Sequence, residues 1–496
     1  MKENFEEFIT RFKDRLHDLF HNKTDIDNLS LSRGLPEKVW SEIMALKPLS
    51  VAVPEQFGGR GLEVKECLSV LSAASYEALP LSLTFGINIA LFLEPFAKYS
   101  NDAIKPEVYN RFINHGAMGG LMITEPDYGS DALSMQTSNV LTEEGYALKG
   151  QKHWQGLTGM ADYWLVTSRK KNDNGDLARD IDFFVTDESK PEQKINVENY
   201  FNNLGLYMIP YGLNNIDLKV PANQKLEAPR TGIKMMLDIL HRSRLQFPGM
   251  GMGFIKRMLD EAIEHCTNRI VGGQSLLHLD SVKFQISRIQ AAYSLCSGMC
   301  ARSSSMSGID FELSGQGLEA NSMKALVTDM MQESAQLCTQ LSGSSGYKLD
   351  HIAGRGIVDS RPFQIFEGSN EMLYTQIAEV VTKQMKRLKE TKLGKALSEM
   401  DRTSRIAPML KKQLDFNLPD NMVQRQMVVL GQVVARMVSL QYVSEMVDKG
   451  FRNDLFDNCF KHMSMDITRL LSDFIDYNNA EPIVAYNENS DWMNFI

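Results

Sequence analysis

The chain contains 496 residues, more than a single hydrophobic core usually holds, so two to four domains are expected. A hydrophobic content of 43% and a charged content of 23% are those of an ordinary globular protein. The net charge of -9 argues against nucleic acid or an anionic membrane as the main partner.

Cysteine, histidine and hydropathy patterns exclude further classes. The six cysteines contain no CxxC pair, which favours free thiols in a reducing cytosol. The nine histidines show no metal-ligand pattern such as HExxH, so no metal site is predicted. The acidic start "MKENFEEFITRF" lacks the apolar core of a signal peptide, and no window approaches the roughly 20 apolar residues of a membrane span. We therefore predict a cytoplasmic protein without a transmembrane segment.

Residues 1–118 have the periodicity of helices. One face of the first segment carries apolar side chains at i, i+3, i+4 and i+7 spacing, namely Phe5, Phe8, Ile9, Phe12, Leu16, Leu19 and Phe20. The segments "LPEKVWSEIMAL" and "ECLSVLSAASYEAL" continue this pattern on either side of the turn-rich "PEQFGGRGLE". This region is predicted to be an N-terminal helical domain.

The pattern changes near residue 119, where short β-rich segments begin. They are "YALKGQKHW", "YWLVTSR", "IDFFVTD", "KINVENY" and "NNIDLKVPA", and residues typical of turns separate them. Because Gly or Pro occurs in every connection, residues 119–228 suit a barrel or sandwich better than alternating βαβ units.

Helical periodicity returns over residues 229–388. Four long segments predict a four-helix bundle: "GFIKRMLDEAIEHCTNRI", "SVKFQISRIQAAYSLCSGMCARSSSM", "EANSMKALVTDMMQESAQLCTQL" and "IFEGSNEMLYTQIAEVVTKQMKRL". Residues 389–496 then form a helical extension after a charged linker. Its apolar stripe contains Phe456, Phe460, Met463, Ile467, Leu470, Leu471 and Phe474. The stripe is expected to face a core or a partner rather than a membrane.

One short stretch raises a chemical question. In "RPFQIFEGSNEML", Phe363, Ile365 and Phe366 precede the carboxylate of Glu367, and Gly368 follows it. A turn that exposes the acid to water is one interpretation. The other is a carboxylate held against apolar surface, which raises its pKa and lets it remove a proton that an ordinary carboxylate cannot.

Several motifs occur in a fixed order along the chain. They are "MITEPDYGSD" at 122–131, "GQKHWQGLTGMADYWLV", "VPANQKL", "RSRLQFPGMGMGFIKRMLDEA" followed by Arg269, "QLSGSSGY" and "IFEGSNEM". Each one alone is more often a turn, a packed helix or a surface acid than a functional site. Together, in this order and at this spacing, they resemble the signature segments of the acyl-CoA dehydrogenases. The resemblance covers residues 1–388 and does not cover the extension.

This resemblance implies a fold that is mainly α with a central β domain. An N-terminal helical domain, a β-barrel or sandwich and a C-terminal four-helix bundle are followed here by the helical extension. The implied reaction is α,β-dehydrogenation of an acyl thioester, acyl-CoA to trans-2-enoyl-CoA, as in fatty acid β-oxidation. A carboxylate removes the α-proton, N5 of FAD takes the β-hydride, and an electron-transferring flavoprotein accepts the electrons.

Carried onto this chain, the resemblance makes Glu367 the base. In a minority branch of the family the base sits beside the position of Arg244, but here that neighbour is Ser243. The implied FAD-binding residues are Met122, Ile123, Thr124, Ser130, Trp154, Gly156, Arg269, Gln340, Gly343, Ser369 and Glu371. The implied acyl-thioester residues are Ser130, His241, Arg242, Ser243, Arg244 and Gly368. Trp154 would pack on the isoalloxazine, and Arg269, of the same or of a neighbouring subunit, would meet the pyrophosphate.

Four departures from the family pattern keep alternatives open. Gly156 replaces a threonine that bonds the flavin, Gly272 replaces a phenylalanine, and Ser344 replaces a glycine. Glu379 replaces an arginine, which weakens the case for free coenzyme A and favours a carrier-protein thioester as an alternative. An acyl-CoA oxidase and a scaffold relative with secondary redox activity are further alternatives. Because the extension would cover the bundle surface that joins two dimers, a homodimer is predicted, in which each FAD touches both subunits.

Overall fold

The computed structural model describes residues 3–477 and 480–496, so the predicted segments 1–118 and 389–496 each include two positions outside the described residues. The N-terminal region is helical, as predicted. Its helices are α1 (Phe5–His17), α2 (Ile26–Leu29), α3 (Glu37–Ala45), α4 (Val64–Glu77), α5 (Leu79–Gly86), α6 (Glu94–Tyr99) and α7 (Lys105–His115). Two π-helical segments, Asp18–Lys23 and Ile87–Leu93, continue α1 and α5. The apolar stripe on the first helix is buried from Phe8 to Phe20.

The central region is a curled seven-stranded sheet. Its strands are β1 (Gly119–Met122), β2 (Ser138–Thr142), β3 (Gly145–His153), β4 (Tyr163–Lys170), β5 (Asp182–Asp187), β6 (Asn196–Tyr200) and β7 (Gly212–Val220). One edge of β4 pairs with antiparallel β5, and the other edge is shared by β1 and β2, both parallel to it. The sheet continues antiparallel from β2 through β3 and β7 to β6. Sharing one edge between two strands curls the sheet, which confirms a β domain without βαβ units.

The second helical region contains the predicted bundle. Its elements are α8 (Gly232–Arg244), α9 (Phe247–Asn268), the hairpin β8 (Ile270–Val271) and β9 (Gln274–Ser275), α10 (Asp280–Met306), α11 (Gly317–Ser342), α12 (Ile352–Ser360) and α13 (Asn370–Leu388). Helices α9, α10, α11 and α13 are the four predicted from periodicity, and α11 packs against both α9 and α13. Ser369 caps α13 by accepting a hydrogen bond from the amide of Met372 at 3.4 Å, so Glu367 lies just before the helix.

The extension folds back onto the bundle. It consists of α14 (Leu393–Ser398), α15 (Gln424–Val447) and α16 (Asn453–Ile475). Helix α15 packs against α10, α11 and α13, and α16 packs against α10 and α15. Gly431 permits this approach, because a Cβ there would lie 2.0 Å from the carbonyl oxygen of Tyr374 on α13. The predicted stripe is buried at Met463, Ile467 and Phe474.

Two apolar helical segments contradict the expectation that no window of the sequence approaches a membrane span. Among the described residues, Leu79–Tyr99 and Gln424–Val447 are long and apolar enough to cross a membrane, with mean hydropathies of 1.4 and 1.3. The expectation that no window approaches a membrane span is therefore wrong. The protein itself buries 94% of the first apolar window and 67% of the second, as is typical of core helices.

Candidate active site

The apolar run before Glu367 anchors the turn that carries this residue. Phe363 is fully buried, and its ring centroid lies 4.9 Å from that of Phe366. The ring of Phe366 also lies 6.2 Å from that of Phe247 on α9. Ile365, in contrast, is 58% exposed. The two phenylalanines therefore fix the turn against the bundle, and Glu367 follows directly from this anchor.

The turn has an unusual backbone conformation. Glu367 has φ 53° and Gly368 has φ 90°, so two consecutive residues lie in the left-handed region. A residue with a side chain pays about 1–2 kcal/mol for this conformation. A Cβ on Gly368 would also lie 2.7 Å from Met372 and 3.2 Å from Arg244. Glycine at 368 is therefore required by the turn and its packing, independently of any substrate.

Two buried cations hold the turn by its carbonyl oxygens. Arg244, at the end of α8, donates from Nε and Nη2 to the carbonyl oxygen of Glu367 at 3.1 and 2.8 Å. Its Nη1 donates to Oδ1 of Asn321 at 2.8 Å. Lys324 on α11 donates from Nζ to the carbonyl oxygen of Gly368 at 2.8 Å. These charge-assisted bonds stabilise the left-handed turn.

The Glu367 carboxyl group has one engaged and one free oxygen. Oε1 accepts a hydrogen bond from Oγ of Ser243 at 2.9 Å. Oε2 is buried and accepts no hydrogen bond from any residue of the described chain. Burial raises the pKa of Glu367 above its ordinary value, and Arg244, the Ser243 bond and Lys324 oppose that rise. The group is therefore a desolvated carboxyl with an open lone pair, as a general base requires.

Lys324 also connects the turn to a buried polar network. Its Nζ donates to Oδ1 of Asn370 at 3.0 Å, and Asn370 donates to Oδ1 of Asp329 at 2.7 Å. The hydroxyl of Tyr374 donates to the other oxygen of Asp329 at 2.6 Å. Burial lowers the pKa of Lys324 to about 7, although Glu367 and Asp329 raise it. Sequence reasoning missed this lysine; the available signal was a charged residue between apolar neighbours in "SMKALV" of α11.

The structure brings Ser243 and Arg244 to Glu367, but not the two preceding residues. His241 is hydrogen-bonded through Nδ1 to the carbonyl oxygen of Leu313 at 2.7 Å. Arg242 donates to the carbonyl oxygens of Ser307 and Phe311 at 2.7 and 2.9 Å. Both side chains are buried and hold the α10–α11 loop, and burial lowers the pKa of His241 to about 4. Their polar groups thus already have partners within the protein.

The loop after β1 is held by a buried ion pair. This loop carries three of the residues implied for flavin binding, and it follows a fourth: Ile123, Thr124, Ser130 and Met122. Nζ of Lys152 lies 2.8 Å from Oε1 of Glu125, and both side chains are almost fully buried. Lys152 also donates to the carbonyl oxygen of Ile123 at 2.9 Å. The pair fixes Thr124, whereas Ser130 remains exposed.

Trp154 and Gly156 lie just after β3. The Trp154 side chain is 52% exposed and packs on Phe201, with ring centroids 4.4 Å apart. A Cβ at Gly156 would lie 2.7 Å from Cδ1 of Ile87 and 3.5 Å from Tyr211. The threonine that the family pattern places here would therefore require the end of the Ile87 side chain to shift. The half-exposed indole face remains available for a planar ring.

The residues implied for the pyrophosphate and adenine lie on another part of the surface. Arg269 is exposed at the end of α9, immediately before the β8–β9 hairpin. The departure at Gly272 belongs to the turn of this hairpin, where Gly272 and Gly273 both have positive φ. A depression of about 350 Å³ is lined by Gln336, Thr339, Gln340, Gly343, Tyr347 and Ile357. Gln340 and Gly343 are exposed there.

The last two implied flavin residues lie at the start of α13. Ser369 caps the helix through its hydroxyl oxygen, and Glu371 in the first turn is exposed. Both acidic and capping side chains are favourable at this helix end, where the backbone amides carry partial positive charge. Their positions are therefore explained by the helix itself.

Comparisons with known proteins agree with this architecture. Family models for the N-terminal, middle and C-terminal domains of acyl-CoA dehydrogenases match residues 10–116, 120–217 and 230–382. The very long-chain specific mitochondrial acyl-CoA dehydrogenase of Rattus norvegicus is 26% identical over 392 residues; the match covers 75% of this chain and 56% of the relative's length.

Two solved structures have the same fold. An acyl-CoA dehydrogenase from Bacillus anthracis, solved with FAD, superposes with a TM-score of 0.77 at 17% identity and covers 97% of this chain and 90% of its own. Butyryl-CoA dehydrogenase from Megasphaera elsdenii superposes with a TM-score of 0.67 at 20% identity and covers 77% of this chain and 100% of its own. The chain belongs to the acyl-CoA dehydrogenase family, a family of oxidoreductases.

Proposed function

We propose that this protein dehydrogenates an acyl thioester between its α and β carbons, with Glu367 as the base. The observation that carries the proposal is the free oxygen of Glu367. A buried carboxyl oxygen without a hydrogen-bond partner is costly unless a ligand completes it. Desolvation also raises the pKa of this group, which brings its basicity closer to that of a weakly acidic α-proton.

The same turn offers a donor for the thioester carbonyl. The backbone N–H of Glu367 makes no hydrogen bond within residues 3–477 and 480–496. Arg244 and Lys324 instead fix the carbonyl side of the turn. A thioester whose carbonyl accepts from this N–H would place its α-carbon beside the carboxyl group of the same residue. The N–H would then stabilise the negative charge that develops on the oxygen as the α-proton leaves.

FAD fits the implied residues when two subunits of a homodimer share each site, because Trp154 and Thr124 belong to the β domain, whereas Arg269 and Gln340 belong to the helical bundle. The exposed face of Trp154 suits the isoalloxazine, and the rigid loop around Thr124 supplies polar groups beside it. The exposed guanidinium of Arg269 suits the pyrophosphate, and the depression at Gln340 and Gly343 suits the adenine. When bound, FAD would accept the hydride that leaves the β-carbon. The chain contributes the base, the orientation and a desolvated site.

We further propose coenzyme A as the carrier of the acyl group and an electron-transferring flavoprotein as the electron acceptor. Glu379 is the observation that favours a second candidate, an acyl chain on a carrier protein. It is exposed on α13, where the family pattern has an arginine. An acidic side chain there would repel the phosphates of coenzyme A. A cytoplasmic location remains a prediction.

Anaerobic flavin bleaching tests the proposed function and separates these candidates. Protein purified with its flavin is titrated with acyl-CoA of short, medium and long chain, and in parallel with acylated carrier protein. We expect the flavin to bleach with one acyl-CoA class and a 2-enoyl-CoA to form. Bleaching by the carrier-protein thioester alone would replace coenzyme A in the proposal. A flavin that no thioester bleaches would refute the dehydrogenase function.

The extension supports the further proposal of a homodimer. It covers faces of α10, α11 and α13 with α15 and α16, so these faces are not available to a second dimer. Light scattering of the full-length protein should give the mass of two chains. Removal of residues 395–496 should expose the bundle and yield higher oligomers. A tetrameric full-length protein, or a truncated protein that stays a dimer, would contradict this proposal.

A further inference from the structure

Two histidines and a glutamate meet where the first helix passes the end of α4. His17 ends α1, and His21 follows one turn later in the π-helical segment Asp18–Lys23. Glu77 is the last residue of α4. Nδ1 of His17 lies 3.4 Å from Oε1 of Glu77, and Nε2 of His21 lies 2.6 Å from Oε2. From this cluster we infer that the protein binds a Zn²⁺ ion between these two helices.

The geometry of the three ligand atoms suits zinc. Zn²⁺ takes imidazole nitrogens and carboxylate oxygens at about 2.0–2.2 Å in a tetrahedron, which sets ligand atoms about 3.3–3.6 Å apart. In the structure, one atom from each of His17, His21 and Glu77 lies within 4.8 Å of the others. Small side-chain rotations therefore suffice to bring all three to one ion. Water can supply the fourth ligand, because His17 is 61% exposed and His21 is 28% exposed.

The electrostatics of the cluster also favour a cation. The Glu77 side chain is only 6% exposed and sits at the C-terminal end of α4, where the backbone carbonyls carry partial negative charge. A buried carboxylate in this position is destabilising unless positive charge offsets it. The two imidazoles offset part of this cost through their contacts with the carboxylate. A divalent ion supplies the charge and binds the same three atoms.

The ligands stand on rigid elements, which lowers the cost of ordering them. Leu16 and Phe20, adjacent to the histidines, are fully buried and fix the orientation of the helix. Local π-helix is uncommon and often marks functional positions. A metal here would tie the N-terminal helix to α4, which packs directly on α9 of the bundle. The site is thus a structural clip that is independent of the proposed dehydrogenation.

The test is Zn²⁺ binding by full-length protein that carries no purification tag and has been treated with a chelator. Titration in competition with a chromophoric zinc chelator should show one Zn²⁺ per chain. The changes Glu77→Gln and His21→Ala should each weaken the affinity more than about tenfold, since loss of outer-sphere partners alone costs 10- to 100-fold. His17→Ala, at a more exposed position, provides a variant with little risk to folding. His115→Ala, at an exposed histidine of α7, is the matched control and should bind as the unchanged protein does.

The readout needs no flavin and no substrate, so it stays separate from the proposed dehydrogenase function. The melting temperature of the unchanged protein and of His115→Ala should rise with Zn²⁺, and that of His17→Ala should not. Failure to bind one equivalent of Zn²⁺ would overturn the inference. Binding that survives in both Glu77→Gln and His17→Ala would assign the ion to other surface groups and would overturn it equally.

Discussion

Replacement of Lys324 by methionine tests whether the buried cations on the turn position the base. Methionine has a similar length but removes the two hydrogen bonds from Nζ, to the carbonyl oxygen of Gly368 and to Asn370. The left-handed conformation of Glu367 costs about 1–2 kcal/mol, and in Lys324→Met it is no longer stabilised by the hydrogen bonds from Nζ. Because each 1.4 kcal/mol is a factor of ten, the equilibrium constant for forming the competent turn should fall by up to roughly 5- to 30-fold. We expect the rate of flavin reduction at neutral pH to fall, by no more than this factor.

The pH profile separates this positioning role from simple destabilisation. Glu367 must be ionised to accept a proton, so the reduction rate falls as the pH drops through its raised pKa. Lys324 favours the ionised form, and its removal raises that pKa further. The acid limb of the profile should therefore move to higher pH in Lys324→Met. Stopped-flow flavin reduction across pH measures this shift, with Lys383→Met, at an exposed lysine of α13, as the control. An unchanged acid limb and an unchanged rate would refute the reasoning.

Three further changes probe the surrounding structure. Gly156→Ala should lower the melting temperature because its Cβ meets Ile87. Adding Ile87→Val, which removes the contacting Cδ1, should restore part of that loss. Equal melting temperatures of the unchanged protein, the single variant and the double variant would contradict this packing. Arg269→Ala should lose flavin on dialysis with little change in melting of the flavin-free protein, since about 1.5–3 kcal/mol of charged hydrogen bonding is at stake; an unchanged flavin-to-protein ratio would count against that contact. Alanine normally stabilises a helix relative to glycine by about 0.5–1 kcal/mol. Gly431→Ala should nevertheless destabilise the protein, because its methyl group meets the backbone of α13. Gly317→Ala, whose added methyl group would make only ordinary contacts, should not destabilise it. Greater stability of Gly431→Ala in urea would disprove the close approach.

The order of domains and the turn at Glu367 could be predicted because their signals are local. Periodicity of 3.6 residues predicts α1, α9, α10, α11 and α13, and the change to short alternating segments predicts the sheet. The anchoring of Glu367 follows from Phe363 and Phe366, which are its immediate neighbours. The exact start of α13 could not be predicted, because the cap at Ser369 rather than the apolar pattern decides where the helix begins.

The contacts that complete the site could not be predicted, because they join distant parts of the chain. Lys324 meets Gly368 across 44 residues, and Lys152 meets Glu125 across 27. His17 and His21 are only four residues apart, but His21 meets Glu77 across 56 residues, so the sequence does not show the carboxylate that completes the cluster. In each case the missing information was the tertiary packing of elements that were themselves predictable.

Anaerobic flavin reduction by acyl-CoA in Glu367→Gln tests directly whether Glu367 is the base. The amide is nearly isosteric and still accepts the hydrogen bond from Ser243, but it cannot take a proton. Glu264→Gln, at an exposed position of α9, is the matched control. We predict that Glu367→Gln keeps its flavin and its melting temperature but reduces flavin at least about 10²–10⁴-fold more slowly. Bleaching at the rate of the unchanged protein would show that the base is another residue.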